Sequence, residues 1–209
     1  AAAQQRAQMA GSGKKESSLL RAAKEIQYWK LLMFAGTFAI ANTAIASFLP
    51  TYLTIERGMD ATVATTISSL NSLFGIAGSL FGGVLCAQMW RRKPILIGAI
   101  VLYILAGFGI TFVSSSGLIV VLALAAGALY FIPIAAQSTI MIETKQPFDP
   151  TILGGAASIS SGIGQLLCVI VSFLFQGVAA ASSMTVAYRV FFALCLIGLL
   201  GAILLRETG

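Results

Sequence analysis

Six apolar stretches, each long enough to cross a bilayer, fill this chain from Trp29 to Leu205. A hydrocarbon core about 30 Å thick is spanned by roughly 20 helical residues. Backbone amides in lipid must find partners within their own segment, so each stretch reads as a transmembrane helix. The proposed spans are Trp29–Leu53, Ala61–Ala87, Pro94–Val113, Gly117–Ile142, Ile152–Gly177 and Val186–Leu205. The reading is an all-α, polytopic membrane protein. With 58% apolar and 10% charged residues, the chain falls far below the roughly one-quarter charge of soluble domains. The links are short, so successive helices pack antiparallel in one bundle. Its surface is expected to meet membrane lipids.

The net charge of +6 serves topology, not nucleic acid. Arg6, Lys14, Lys15, Arg21, Lys24, Lys30, Arg91, Arg92, Lys93, Lys145 and Arg206 fall on one side if six spans alternate, and only Arg57 and Arg189 fall on the other. The positive-inside rule then places both termini in the cytoplasm. The basic edge also suits anionic lipid head groups. Residues Ala1–Tyr28 read as a basic cytoplasmic linker. Ser17 or Ser18 can cap an interfacial amphipathic helix in it, or the first span can simply extend backwards. The linker lacks the apolar core of a signal peptide, and the chain opens without Met, so a processed or cut chain is expected. Cys86, Cys168 and Cys195 sit singly in apolar runs and read as small buried hydrophobes; no metal or cofactor site is expected.

Gly58 and Asp60 suit a helix stop followed by an N-cap, and Pro94 suits a first helical turn. Ser114–Gly117 reads as a tight turn and Ala179–Thr185 as a longer link. The first, second, fourth and fifth spans hold nearly all the Asn, Gln, Ser and Thr, whereas the third and sixth are plain. That order suggests two inverted three-helix repeats, a pattern common in secondary transporters.

On a helical wheel the second span carries Thr65, Ser68, Ser69, Ser72 and Ser79 on one face and Asn71, Gly75, Gly78 and Gly82 on another. The fifth aligns Gly154, Ser158, Ser161, Gln165, Ser172 and Gln176, and the fourth aligns Tyr130 with Gln137 across Pro133. Small residues alone are explained by close helix packing. Bulky polar groups need partners, because an unpaired amide or phenol in lipid costs several kcal/mol. Asn42, Asn71, Tyr130 and Gln165 fall near the middle of their spans, and together with Ser72, Gln137 and Ser161 they are the candidate lining of a shared hydrated cavity. A helix–helix hydrogen bond is the alternative for each. No Asp, Glu, Lys or Arg lies deep in a span, so any ion-coupling group is expected elsewhere.

The segment Gly83-Val84-Leu85-Cys86-Ala87-Gln88-Met89-Trp90-Arg91-Arg92-Lys93 resembles the loop signature of the major facilitator superfamily, G-x-L-[AS]-D-R-x-G-R-[RK]. Gly83, Leu85, Arg91 and Arg92 match, whereas Ala87 replaces the Asp, Gln88 the Arg and Trp90 the Gly. Phe148–Gly154 resembles the family's F-P-P-x-x-R-G segment, with Leu153 replacing the Arg, and Arg206-Glu207-Thr208-Gly209 resembles its P-E-T-K-G ending. The degraded loop copy implies the C-terminal six-helix half of a carrier. The resemblance also implies alternating access against an N-terminal half, a small-molecule substrate, and helix-end contacts by Arg91 and Arg92 as a conformational motif. Ala87 removes the charge relay that the motif's Asp would make.

Enzymatic readings find no support. There is no His, which excludes a Ser–His pair and an H-E-x-x-H site, and no paired Asp lies mid-span. Two alternatives stay open: a self-sufficient six-helix half that dimerises through Gly78-x-x-x-Gly82, and a channel or scaffold.

Overall fold

A computed structural model describes residues 26–89, 91–143 and 150–205. The linker before Ile26, the Phe148–Gly154 segment up to its Pro150, and the final four residues lie outside this description, as do the readings placed on them. Six helices run α1 Ile26–Ile55, α2 Ala61–Gln88, α3 Lys93–Phe112, α4 Ser116–Glu143, α5 Pro150–Ala181 and α6 Met184–Leu204. Each is long and apolar enough to cross a membrane, and no strand occurs among the described residues.

The punctuation has local causes. Gly58 takes a positive φ of 63°, which glycine adopts without steric cost. Asp60 then caps α2, its carboxylate accepting from the Thr62 amide at 2.8 Å. That bonding holds the Asp60 carboxyl below its ordinary pKa. Pro94 sits in the first turn of α3. The largest departure from the sequence reading is the end of α5, which continues to Ala181 rather than Gly177. Val178-Ala179-Ala180-Ala181 contains no breaker, and alanine is the strongest helix former. The expected longer link shrinks to Ser182 and Ser183, with Ser183 capping α6 through the Val186 amide.

α2 packs chiefly on α4, α1 on α6 and α5, and α3 on α4 and α6. Exchanging α1 with α4, α2 with α5 and α3 with α6 maps α2/α4 onto α5/α1 and α1/α6 onto α4/α3, and leaves α3/α6 unchanged. The packing thus carries the internal repeat that the polar–polar–plain order suggested. The exchange fails at α1/α2: these helices pack together, but among the described residues α4 and α5 have no comparable contact. α5/α6 likewise has no counterpart in α2/α3.

The plain helices lie deepest. Over an apolar 18-residue stretch of each helix, 56% of residues are buried in α3, against 28% in α2 and 11% in α5. Lipid gives helices no hydrophobic reason to associate, so close packing and hydrogen bonds must hold the bundle. An aromatic core supplies contact area. Tyr103 meets Phe38 edge-on at 4.8 Å and Phe192 at 5.6 Å, while Phe175 contacts Phe48, Tyr188 and Phe191. The α2/α4 seam uses small residues instead. A Cβ added at Gly78 would lie 2.7 Å from Ala128 Cα, one at Gly82 2.9 Å from Ile132 Cα, and one at Gly75 2.6 Å from the Phe131 ring. The Gly78/Gly82 spacing is therefore consumed inside the chain, which removes it as an outward dimer face.

Basic side chains close helix ends. Arg57 donates to the Ile110 carbonyl at 2.8 Å and to the Tyr52 hydroxyl at 3.0 Å. Arg189 donates to the Thr111 hydroxyl at 3.3 Å and its carbonyl at 3.4 Å, and lies 4.3 Å from the Phe112 ring centroid. Both satisfy carbonyls left open at the end of α3. Beside them Glu56 accepts from the Met184 amide at 2.9 Å, at the start of α6. At the opposite face, where α1 begins and α6 ends, Lys93 donates to the Ile203 and Leu205 carbonyls.

Candidate functional site

The gap between α4 and α5 opens onto a cavity of about 230 Å³, whose third wall is α1. α1 contributes Leu32, Ala35, Gly36 and Ala39, α4 contributes Tyr130, Ile134 and Gln137, and α5 contributes Ser160, Ser161 and Gly164. Each set follows helical spacing, so each comes from one face of its helix. Tyr130, Gln137 and Ser161 were named from the sequence, and the structure brings these three together. Among the described residues no charged side chain lines the cavity.

The cavity runs from near the middle of its helices toward one face. The lining lies in the first half of α1, the second half of α4 and the first half of α5. The cavity is therefore displaced toward the face where α1 begins and α6 ends. At about 1.5 Å rise per residue, Asn42 sits roughly 5 Å beyond Ala39, the deepest lining residue of α1.

Four other candidates take different places. Asn71 is buried on α2 and donates to the Ala123 carbonyl of α4 at 2.5 Å. Gly127 makes room for it, since a Cβ there would lie 2.8 Å from Asn71 Nδ2. Asn71 thus joins helices and does not line the cavity. Asn42 is half-buried and also lies outside the lining. Ser72 and Gln165 are exposed on faces of α2 and α5 that no helix covers among the described residues. Beside Asn42, Thr43 donates to Cys168 Sγ at 3.1 Å, joining α1 to α5 above the cavity.

Sequence reasoning missed Ser160, Gly164 and the apolar wall. On α5 the strongest polar stripe ran through Ser158, Ser161 and Gln165, but the cavity takes Ser160, Ser161 and Gly164, turned about one position around the helix. A glycine next to that stripe was the available signal. Behind the cavity the Tyr130 ring packs 4.9 Å from Phe38 and 6.2 Å from Tyr103. Tyr103 is fully buried, and its hydroxyl has no hydrogen-bond partner among the described residues.

The loop motif is split. Arg92 donates to the Cys86 and Met89 carbonyls, closing the end of α2. Arg91 is exposed, as is Gly83, where an added Cβ would meet nothing within 4 Å.

This arrangement can hold a small molecule by hydrogen bonds from hydroxyl and amide groups on one side and apolar contact on the other. Among the described residues no group of three His, Cys, Asp or Glu is placed to hold a metal ion.

Comparison with known proteins adds family and fold. A family model described as Major Facilitator Superfamily matches residues 3–167. The chain is similar to the solved structure of the MFS proton:xylose symporter XylE bound to 6-bromo-6-deoxy-D-glucose, with a TM-score of 0.60 at 17% identity, covering 90% of this chain and 44% of that one. It is also similar to a D-xylose-proton symporter, with a TM-score of 0.60 at 18% identity, covering 91% of this chain and 49% of that one. At such identities the likeness establishes the fold alone. The chain spans less than half the length of either structure. A comparison with curated proteins gave no match.

Proposed function

The chain belongs to the major facilitator superfamily, and from that premise we propose that it forms one six-helix half of a secondary active transporter for a small uncharged solute. The observation that carries this reading is the cavity itself. Its polar groups are Tyr130, Gln137, Ser160 and Ser161, all neutral, on α4 and α5, and the apolar wall of Leu32, Ala35 and Ala39 comes from α1. A desolvated ion would find no countercharge there. A polyol or sugar-like molecule would find both hydrogen-bond partners and apolar contact. The similar solved structures are named as xylose symporters, which agrees with that class.

In this reading the solute is passed across the membrane by alternating access, with the complementary half on the uncovered faces of α2 and α5. The degraded loop copy, with Ala87 in place of Asp, supports assignment as the C-terminal half. The one-sided distribution of basic residues supports cytoplasmic termini, and in this reading the cavity opens toward the cytoplasm. The proton or other coupling group belongs to the other half, since no carboxylate lies deep in these spans.

Uptake of labelled neutral polyols and sugars into liposomes containing the complete transporter tests the proposal. Gln137→Leu is expected to lower kcat/KM by about tenfold or more, the loss of one well-placed polar contact, with protein yield unchanged. Gln165→Leu, on the uncovered face of α5, is expected instead to lower the assembled amount or its thermal stability. Selective uptake of charged solutes, or unaltered Gln137→Leu kinetics, would overturn the assignment.

A further inference from the structure

The glycines of this bundle fall into two groups. Gly75, Gly78, Gly82, Gly107, Gly109, Gly127 and Gly198 each sit where an added Cβ would come within 3 Å of a neighbour. Their small size has a cause inside the chain. Gly164 does not. It lies within α5, it lines the cavity, and a Cβ built there meets nothing within 4 Å. Glycine is a poorer helix former than alanine, so keeping it inside a helix works against the helix unless the space matters. Gly36, across the cavity on α1, differs, because its Cβ would lie 3.2 Å from Leu167 Cδ1. Gly162 and Gly177 are also open but face outside the cavity.

We infer that Gly164 sets the size limit of the solute, which lies against the α5 backbone in the space a side chain would occupy. Ser160, one turn earlier on the same face, then reaches the solute's edge, while Gln137 approaches from α4. Backbone exposed at a glycine admits close approach of a ligand, as it does in other tight binding sites. A side chain at this position would shorten the longest solute the cavity accepts without disturbing helix packing. This rests on the neutral-solute reading above, and sharpens it from a class to a size filter.

The test is uptake of glycerol, erythritol, xylitol and sorbitol, each one carbon longer than the last, by the complete transporter in liposomes. Parent, Gly164→Ala, Gly164→Val and Gly98→Val are compared. Gly98 lies on α3, is exposed, and also has open space around its Cβ, so it controls for adding bulk to a helix. The thermal midpoint of Gly164→Ala is expected to equal or exceed the parent's. Its kcat/KM is expected to fall about tenfold or more for the longest polyol the parent accepts and to change little for shorter ones. Gly164→Val extends the exclusion to shorter members, and Gly98→Val leaves the order of acceptance unaltered. If the parent accepts one or more polyols and Gly164→Val leaves the size order unchanged, the size filter is overturned and the neutral-solute reading stands. If the parent accepts none of the series, both fall together.

Discussion

Each bulky polar group in this bundle is governed by which neighbour its helix face meets. Asn71 and Gln137 both lie inside apolar spans, yet Asn71 gives its amide to Ala123 while Gln137 lines open space. The sequence shows that both are costly to bury, but helical period assigns a face and not the face's partner. Hence Tyr130, Gln137 and Ser161 were legible as cavity residues, and Asn71 was not separable from them. The tyrosines give a sharper case. Tyr188 donates to the Ala44 carbonyl at 3.1 Å, whereas the equally buried Tyr103 hydroxyl is without a partner among the described residues. Removing a satisfied hydroxyl gives up its hydrogen bond; removing an unsatisfied one relieves a desolvation cost. Tyr188→Phe is expected to lose about 1 kcal/mol of stability, while Tyr103→Phe is neutral or stabilising by a similar amount. Thermal unfolding of the two variants in detergent decides this, and a larger loss for Tyr103→Phe would show that its hydroxyl has a partner in the assembled transporter.

At the scale of elements, the spans were legible because no short apolar run can satisfy its backbone in lipid. What escaped was a matter of local propensity, as where the alanine run to Ala181 carries α5 past the expected link. The fate of the glycine spacing on α2 was also hidden, since Gly78-x-x-x-Gly82 fits a partner chain as well as a neighbouring helix. In the fold it meets α4. Gly78→Ala is therefore expected to push α2 from α4 and to cost about 1–3 kcal/mol, the usual range for overpacking. Gly83→Ala, five residues on and with open space around it, is expected to change stability little or to raise it. Comparable losses for the two in thermal unfolding would mean that the α2/α4 seam does not depend on glycine contact. The same seam explains why α2 and α4 act as one packed pair, while α4 and α5 stand apart around the cavity.

For the whole molecule, the unequal burial of the helices marks which faces this chain leaves uncovered. α3 and α6 are tied to each other at both ends, through Lys93 on one face and Arg189 on the other. α2 and α5 instead present Ser69, Ser72, Ser79, Gln165 and Gln176 outward, together with large apolar groups such as Leu73, Phe74, Leu166 and Phe173. Amides gain nothing from facing lipid. That mixed surface fits a second six-helix body with polar groups of its own, in keeping with similar structures of which this chain covers only 44% and 49%. The repeat pattern was visible in composition because polar residues mark the less buried helices, but composition cannot say whether the covering body is a complementary half or another copy. Since the glycine spacing is consumed internally, a copy would have to pair through these same faces, placing each Gln165 near its own symmetry mate or near Ser72 of the other chain. Gln165→Cys and Ser72→Cys, each introduced with the native cysteines replaced by serine, can be joined in membranes by a short bifunctional thiol reagent. The complementary-half arrangement predicts little or no product between Gln165→Cys and Ser72→Cys on two separate copies. It also predicts that a thiol-to-amine reagent at either position captures a peptide absent from this sequence. Efficient joining of two copies of this sequence, with no foreign peptide, would make the six-helix body its own partner.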